Sequence, residues 1–414
     1  MKDVRIGVIG LSGRGAGMLS LMLDVPGVVC PAVCDRVPER AADGLRRVKE
    51  HENYTGYEVN SYTDYKQMLA KEKLDGVYIA TTWITHSRIA ADAMRAGIHA
   101  GVEVGGAASE AELRELVDVS RETGKFCMLM ENCCYDRKEM AVYKMVKEGR
   151  FGEIIHCEGG YRHDLREEIV MGRENIHGRL FNFQHRNGEL YPTHQLGPIA
   201  KLLDINRGNR FLSLVSMSSK SRGLNEWIKT RRGEDYDLYG YDFAEGDVVT
   251  TIIKCARGET ITLTHGCSLP RPYWRNYLVE GTKGVFFEAT DSQWLFAVEG
   301  ITESGERWES FNDRITEFEH PLWKEYLGEG VKKGHGGMDY LVLESFADAV
   351  RAGEAPIDTY DTAALMAITY LSEQSVAMGG MPVPVPDFTN GTWIDREPYR
   401  KSKFCLNEVC PVDI

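Results

Sequence analysis

Residues 4–15 read VRIGVIGLSGRG, an apolar run that passes directly into a loop of glycines and small residues. When the loop is aligned with the G-x-G-x-x-G motif of dinucleotide-binding proteins, Gly10 and Gly15 match the first and last glycines, and Ser12 replaces the middle glycine. Small residues there let main-chain N–H groups approach a pyrophosphate at the N-terminus of the following helix. Taken alone, the loop is equally compatible with a plain tight turn. The loop residues expected to bind a cofactor are Gly10, Ser12, Gly13, Arg14 and Gly15.

The rest of the first third of the chain alternates apolar runs with helical patterns. Apolar runs at residues 28–34, 76–81, 98–104 and 125–130 predict four further strands, and the stretches between them predict helices. Strands that alternate with helices form parallel βαβ units. We therefore predict an α/β fold that begins with a Rossmann-type, doubly wound parallel sheet over residues 1–130.

An acidic residue supports the nucleotide interpretation of the loop. Asp35 lies 25 residues after Gly10, at the end of the second predicted strand, where a carboxylate can bind the ribose hydroxyls of a dinucleotide. A carboxylate at this place favours NAD over NADP, because it repels the additional phosphate. Arg36 leaves that choice open, since an arginine can accommodate the phosphate, and Asp35 can also be a simple turn residue.

The third predicted strand ends in a polar and aromatic segment, TTWITH, at residues 81–86. In doubly wound sheets, ligands bind at the carboxyl ends of the strands, so we expect this segment on the nicotinamide side of the site. The alternatives are a core tryptophan and a threonine that caps a helix. The residues expected to line the cofactor here are Thr82, Trp83, Ile84, Thr85 and His86.

The sequence changes character after about residue 152. The runs at 247–255 and 259–267 are joined by a short turn, and those at 277–281 and 284–289 resemble a second hairpin, which indicates antiparallel pairing. We predict an α+β domain with a mainly antiparallel open sheet. The expected division is a nucleotide-binding domain over 1–130, a substrate and oligomerisation domain over 131–381, and a surface tail over 382–414.

Composition narrows the classes of function. The 414 residues carry a net charge of −13, with 43% hydrophobic and 27% charged residues, which is typical of a globular chain. A net anion is a poor partner for nucleic acid or an anionic membrane. We see neither a run of about 20 apolar residues nor a signal peptide. The ten cysteines lack paired CxxC spacing, so we expect reduced thiols, a cytoplasmic location and no metal site.

The N-terminal motifs together resemble the glucose–fructose oxidoreductase/inositol dehydrogenase (Gfo/Idh/MocA) family. The resemblance rests on GLSGRG, Asp35, TTWITH and the GVEV run at residues 101–104. Dehydrogenases of that family usually carry Glu-Lys-Pro after this strand, with the lysine serving proton transfer. This chain has Glu103, Val104 and Gly105 instead, which counts against ordinary alcohol dehydrogenation.

The second part of the chain resembles glycoside hydrolase family 109, whose members are NAD-dependent α-N-acetylgalactosaminidases. The supporting motifs are ENCCY at 131–135, GGYRHDLR at 159–166, YPTH at 191–194, DINRG at 204–208, PRPY at 270–273 and HGGMD at 335–339. The resemblance covers nearly the whole chain, and YPTH with the following DINRG is its most specific part.

That resemblance implies a retaining glycosidase with no net redox change. NAD takes hydride from C3 of the sugar, and the resulting ketone acidifies the C2 hydrogen. A base removes that hydrogen, the C1 group departs, water adds to the enone, and hydride returns to C3. The cofactor is then NAD that stays tightly bound and is recycled, and the proton-transfer groups are mostly tyrosine and histidine.

The resemblance also assigns residues. His194 would take the C3 hydroxyl proton, and either Tyr191 or Tyr161 would act at C2 or on the leaving group. Glu103, Val104 and Asn132 would lie near the nicotinamide, with His335 as a weaker candidate. The implied substrate-site residues are Tyr161, Arg179, Tyr191, Pro192, Thr193, His194 and Tyr273.

Several of these residues have simpler interpretations. His194 precedes an apolar helix predicted at 196–203 and can be an N-terminal cap, and Tyr161 can be an aromatic side chain at a sheet edge. Tyr273 can pack in a loop, and Arg179 can be solvated. His156 and His163, with Glu158 and Asp164, suggest metal binding, but their spacing matches no known site.

Two other functions remain open at this point. A sugar or cyclitol dehydrogenase would consume NAD stoichiometrically, and a non-catalytic sensor would bind the dinucleotide and regulate a partner protein. The expected partners of the leading hypothesis are a small-molecule or glycan substrate and further copies of the chain in a dimer or tetramer. A fold does not fix a function, so the site must decide.

Overall fold

A computed structural model of the protein describes residues 3–175, 178–412 and 414. The chain divides into two units, each discontinuous in sequence. The first unit comprises Met1–Met140, His320–Ala363 and Glu397–Ile414, and the second comprises Ala141–Glu319 and Ala364–Arg396. The three consecutive segments expected from the sequence stay a prediction about domains, and the two units are described separately below.

The first unit is built on a parallel sheet. Its spatial order is β4-β3-β1-β5-β6-β7, and β2 pairs with β1. Every pairing in this sheet is parallel, which confirms the predicted doubly wound arrangement. The strands are β1 (Val4–Ile9), β2 (Val28–Val29), β3 (Ala32–Cys34), β4 (Asn60–Tyr62), β5 (Gly76–Ile79), β6 (His99–Val102) and β7 (Cys127–Leu129).

The second unit is built on a nine-stranded sheet in the order β15-β14-β13-β12-β8-β11-β10-β9-β16. All of its pairings are antiparallel except β8 with β11, so the predicted mainly antiparallel sheet is confirmed. The strands are β8 (Ile154–Arg162), β9 (Phe211–Ser218), β10 (Val249–Cys255), β11 (Thr260–Gly266), β12 (Leu278–Gly281), β13 (Gly284–Thr290), β14 (Gln293–Val298), β15 (Glu309–Ser310) and β16 (Val383–Pro384).

Both units also contain helices. Single 3₁₀ turns occur at Asn132–Tyr135, Ile315–Glu317, His335–Gly337 and Thr392–Ile394. The α-helices are α1 (Gly13–Met22), α2 (Pro38–Glu50), α3 (Tyr65–Lys71), α4 (Trp83–Arg95), α5 (Glu110–Thr123), α6 (Arg137–Lys147), α7 (Arg166–Val170), α8 (Arg179–His185), α9 (Thr193–Leu202), α10 (Gly223–Arg231), α11 (Phe311–Arg314), α12 (Pro321–Glu329), α13 (Met338–Ala352) and α14 (Thr359–Ala377).

Glycines allow the second sheet to pack closely around β8. A Cβ on Gly160 would lie 2.2 Å from the Thr264 carbonyl oxygen of β11, and one on Gly159 would lie 2.3 Å from the Gln195 side chain of α9. Side chains would force these neighbours apart. The face of β8 that carries Gly159 and Tyr161 therefore lies directly against α9, because alternate residues of a strand share a face.

Some predicted element boundaries were wrong. The strand expected at 28–34 is interrupted between Val29 and Ala32, where Pro31 offers no N–H for pairing. The helix expected from residue 87 begins at Trp83, so TTWITH is largely a helical turn and not a loop. The helix expected from residue 196 begins at Thr193, which places His194 inside its first turn.

Two further features concern the whole chain. All ten cysteines lie within the described part of the chain, and each is buried. Among the described residues, we find no helix with both the length and the apolar composition needed to span a bilayer.

Candidate active site

The glycine-rich loop of the first unit connects β1 to the N-terminus of α1. Gly10 has φ +94°, and a Cβ there would lie 2.5 Å from the Ala80 carbonyl oxygen. A Cβ on Gly15 would lie 1.9 Å from the Gly10 carbonyl oxygen. Ser12 is the N-cap of α1, and the first turn, which contains Gly13 and Arg14, has no acidic residue. The loop fits a pyrophosphate, because its backbone is compact and the helix terminus carries partial positive charge.

Asp35 holds this loop from the end of β3. Its carboxylate accepts hydrogen bonds from the Leu11 N–H at 2.7 Å and the Val37 N–H at 2.9 Å. Only 7% of the residue is exposed. The carboxylate thus ties the glycine-rich loop to the neighbouring strand end, and its predicted contact with a ribose stays a prediction.

The first turn of α4 carries the segment expected near the nicotinamide, with Thr82 as N-cap and Ile84 exposed. His86 is fully buried, and burial lowers the pKa of its imidazole, whose Nε2 lies 3.0 Å from the Thr81 carbonyl oxygen. The Thr85 hydroxyl donates to the Thr82 carbonyl oxygen at 2.7 Å. Trp83 lies against Gly105, where a Cβ would come within 2.4 Å of the indole, so the glycine makes room for the ring.

Charged and polar side chains form a hydrogen-bonded network near the carboxyl ends of β5 and β6. The Arg14 Nε donates to Glu103 at 2.9 Å, and its guanidinium also donates to Asp339 at 2.8 Å. The Tyr78 hydroxyl donates to the same Glu103 carboxylate at 2.5 Å. Burial disfavours the charge on Arg14, but the two carboxylates raise its pKa. Arg14 and Tyr78 thus both bind the Glu103 carboxylate beside the glycine-rich loop.

Asp339 extends this network to two other predicted residues. Its carboxylate accepts from the Asn132 amide at 2.7 Å and lies 2.7 Å from His335 Nδ1. Val104, directly after Glu103, is buried with an exposed fraction of 4%. Asn132, Glu103 and Arg14 are thus brought together at the carboxyl edge of the first sheet, where ligands of doubly wound proteins bind.

Sequence reasoning missed one residue at this edge. Glu131 lies two residues beyond the end of β7, is fully buried, and accepts a hydrogen bond from the Cys133 N–H at 3.1 Å. The signal was available, because a carboxylate placed immediately after an apolar strand of a parallel sheet lies at the ligand-binding edge.

The second unit gathers the predicted sugar-site residues into one aromatic cluster. The Tyr161 ring centroid lies 4.6 Å from that of Tyr191, 5.4 Å from that of His194 and 5.9 Å from that of Tyr273. The Tyr191 and His194 centroids are 5.0 Å apart. Tyr161 lies within β8. Pro192 is the N-cap of α9, and the buried Thr193 is the first residue of that helix.

Arg179 supplies the positive charge of this cluster from the start of α8. Its guanidinium carbon lies 4.9 Å from the Tyr191 ring centroid and 5.9 Å from the Tyr161 centroid. Its Nε donates to Glu168 at 2.8 Å. Although burial disfavours the charge, the neighbouring tyrosines and Glu168 raise the pKa of Arg179. The guanidinium stays charged and can stabilise anionic oxygen at either phenol.

His163 also belongs to the cluster, which the sequence did not indicate. Its Nδ1 lies 3.2 Å from the Tyr161 hydroxyl, and its ring centroid lies 5.2 Å from that of Tyr273. The sequence suggested only an unmatched metal spacing for His163. The missed signal is strand alternation, since residues 161 and 163 share a face once β8 is recognised.

Three buried titratable groups lie on the sheet and loops that carry the cluster. His265 of β11 is paired in register with Tyr161, and its Nδ1 lies 3.0 Å from Glu245. Glu189, two residues before Tyr191, is fully buried. Burial, together with the charge of Glu245, raises the pKa of Glu189 to about 7.

The parallel sheet and glycine-rich loop of the first unit define an NAD-binding Rossmann domain, and comparisons with known proteins agree. A family described as "Oxidoreductase family, NAD-binding Rossmann fold" matches residues 4–131. A levoglucosan dehydrogenase structure in complex with NADH and L-sorbose has a TM-score of 0.70 at 21% identity, over 94% of this chain and 100% of that one. A myo-inositol 2-dehydrogenase from Lactobacillus plantarum has a TM-score of 0.62 at 17% identity, over 93% and 100% of the two chains. The protein has the Gfo/Idh/MocA fold with an NAD-binding domain.

The second unit identifies the family more narrowly. A family described as "Glycosyl hydrolase 109, C-terminal domain" matches residues 135–395. An "Alpha-N-acetylgalactosaminidase" of Tannerella forsythia is 39% identical over 95% of this chain and 88% of its own length. A "Glycosyl hydrolase family 109 protein" of Parabacteroides distasonis is 39% identical over 95% and 89%. The chain belongs to glycosyl hydrolase family 109, and it is an enzyme of the glycoside hydrolase type.

Proposed function

We propose that the protein hydrolyses terminal α-N-acetylgalactosaminides with retention of configuration, using an NAD that it keeps and recycles. The observation that best supports this proposal is the cluster of Tyr161, Tyr191, His194 and Arg179 in the second unit. The first unit of the same chain has the NAD-binding Rossmann fold. Relatives named alpha-N-acetylgalactosaminidase support this choice of sugar. Val104 stands where dehydrogenases of the wider family usually place their lysine, which counts against the dehydrogenase alternative.

Each residue of the cluster has a task in this reaction. His194 accepts the proton of the C3 hydroxyl as that carbon is oxidised, a task that suits an imidazole near neutral pH. Tyr161 or Tyr191 removes the C2 proton, and the other donates to the departing C1 oxygen. Arg179 lies over both rings and stabilises the phenolate and enolate charge.

The cofactor explains how neutral side chains can cleave a glycosidic bond. Bound NAD would supply the temporary oxidation at C3 that acidifies the C2 hydrogen. Gly10, Gly15 and Asp35 would hold its phosphates and ribose, and Glu103 with Asn132 would lie toward its nicotinamide. Most glycosidases instead use a pair of carboxylates across the bond.

A chromogenic α-N-acetylgalactosaminide tests this proposal. We expect the purified protein to release the aglycone over many turnovers without accumulating free NADH. His194→Ala should lower kcat by roughly 10²- to 10⁴-fold, as expected for loss of a proton-transfer group. The matched control is His185→Ala, an exposed histidine in the same unit that packs on Phe181. Steady NADH production from a free sugar would instead support a dehydrogenase.

A further inference from the structure

Tyr161 and His163 form a hydrogen-bonded pair at the end of β8. The Tyr161 hydroxyl lies 3.2 Å from His163 Nδ1, and the two rings meet edge to face with centroids 5.9 Å apart. The His163 N–H donates to the Gly266 carbonyl oxygen at 3.1 Å, which continues the pairing of β8 with β11. The backbone therefore fixes the two side chains on one face of the sheet.

The charges around His163 keep its imidazole neutral. Burial lowers its pKa, Arg179 lowers it further, and Glu168 and Asp164 oppose this less strongly. Asp164 is itself neutralised by two hydrogen bonds from Arg166, at 2.8 and 2.7 Å. A neutral imidazole nitrogen is a better acceptor than a phenol oxygen, so we assign the hydroxyl as donor and Nδ1 as acceptor.

We propose that His163 is a positioning residue for Tyr161, which aims the phenol oxygen and receives its proton when Tyr161 acts as a base. This inference rests on the proposed function for its reaction step. As the phenol oxygen takes the C2 proton of the oxidised sugar, its own proton passes to Nδ1. While water replaces the aglycone, the phenol and the imidazolium exchange their protons with solvent. The phenol then reprotonates C2 of the product and the imidazolium returns a proton to the phenol, so the pair ends each cycle unchanged.

The groups that face His163 from neighbouring elements determine how its protonation affects the site. They are Tyr161 on β8, Asp164 after that strand, Arg166 and Glu168 on α7, Arg179 on α8 and Tyr273 in the segment after β11. Acidification protonates His163 and removes its acceptor. We therefore expect activity to fall as the pH drops through the pKa of His163, which lies below the ordinary value of 6.5.

The pH profile of His163→Gln tests the role in turnover. Glutamine keeps a polar side chain but does not titrate, so kcat should fall roughly 10²- to 10⁴-fold, KM should change little, and this acid limb should disappear. The control His185→Gln makes the same change at an exposed position and should keep both rate and limb. An unchanged kcat and acid limb in His163→Gln would overturn the proposal.

A measurement without substrate separates this inference from the proposed function. Tyr161→Phe removes the hydrogen bond to neutral His163, so the imidazole pKa measured by NMR should rise by roughly half a unit to one unit. Tyr236→Phe is the matched control, because that hydroxyl contacts Val170 and Glu174. An unchanged His163 pKa in Tyr161→Phe would refute the pair even if hydrolysis occurs. The predicted rise in a protein that fails to cleave the glycoside would reject only the proposed reaction.

Discussion

Glu189 is a carboxyl group with no exposed surface, placed two residues before a tyrosine of the site. Burial raises its pKa from 4.5 to about 7 in the folded protein. The folded state therefore binds one more proton than the unfolded state between these values. A raised carboxyl pKa gives stability that is complete below about pH 4.5 and lost as the pH rises toward 7, amounting to about 3 kcal/mol.

Glu189→Gln should remove this pH dependence. We expect the free energy of unfolding of the original protein to fall between pH 5 and pH 8.5 by about 2 to 3 kcal/mol more than that of the variant. Urea denaturation at the two pH values measures the difference. Equal pH dependence in both proteins would show that Glu189 is not held protonated by burial.

Individual residues of the candidate site were predictable from the sequence where they belong to a recognisable motif. Tyr191, Thr193 and His194 lie in the most specific block of the family, and the structure brings Tyr191 and His194 beside Tyr161. His163 was missed because its partner is visible only when β8 is known to continue through Tyr161. A hydrogen bond between alternate residues of a strand leaves no composition signal.

The start of α1 is the element on which cofactor binding depends. Gly15→Ala would place a methyl group against the Gly10 carbonyl oxygen, which must move and open the loop. We expect NAD affinity, measured by calorimetry, to fall at least tenfold. Gly17→Ala is the control on the same helix, since a Cβ there meets nothing within 4 Å. It should keep NAD affinity and raise stability by about 0.5 to 1 kcal/mol. Equal affinity in both variants would contradict a phosphate-binding role for the loop.

Elements with strong local patterns were predictable, and those defined by tertiary contacts were not. The predicted first strand, Val4–Ile9, is apolar apart from Arg5 and matches the structure. β8 reads IIHCEGGYR, in which two glycines and mixed polarity hide a nine-residue strand. Its pairing with β11 depends on the absence of a side chain at Gly160, so only the folded sheet explains that glycine.

At the scale of the whole molecule, the order of segments along the chain does not reveal the units. The helix α13 was predictable from its apolar pattern, but nothing in the sequence indicates which sheet it covers. In the structure it belongs to the first unit, where Phe346 packs against Gly76 and Gly101 of neighbouring strands. An apolar helix fits any apolar face of suitable shape, so long-range packing had to be observed.

The central claim concerns the whole protein: oxidation at C3 of the sugar by bound NAD leads to cleavage of the glycosidic bond at C1. Hydrolysis of an aryl α-N-acetylgalactosaminide in D₂O, with C2 of the released sugar examined by NMR, tests it most directly. We predict deuterium at C2 after many turnovers, because the C2 proton is removed and replaced from solvent, with no accumulation of free NADH. Released sugar that retains its original C2 hydrogen would contradict the account, because direct displacement at C1 leaves that bond intact.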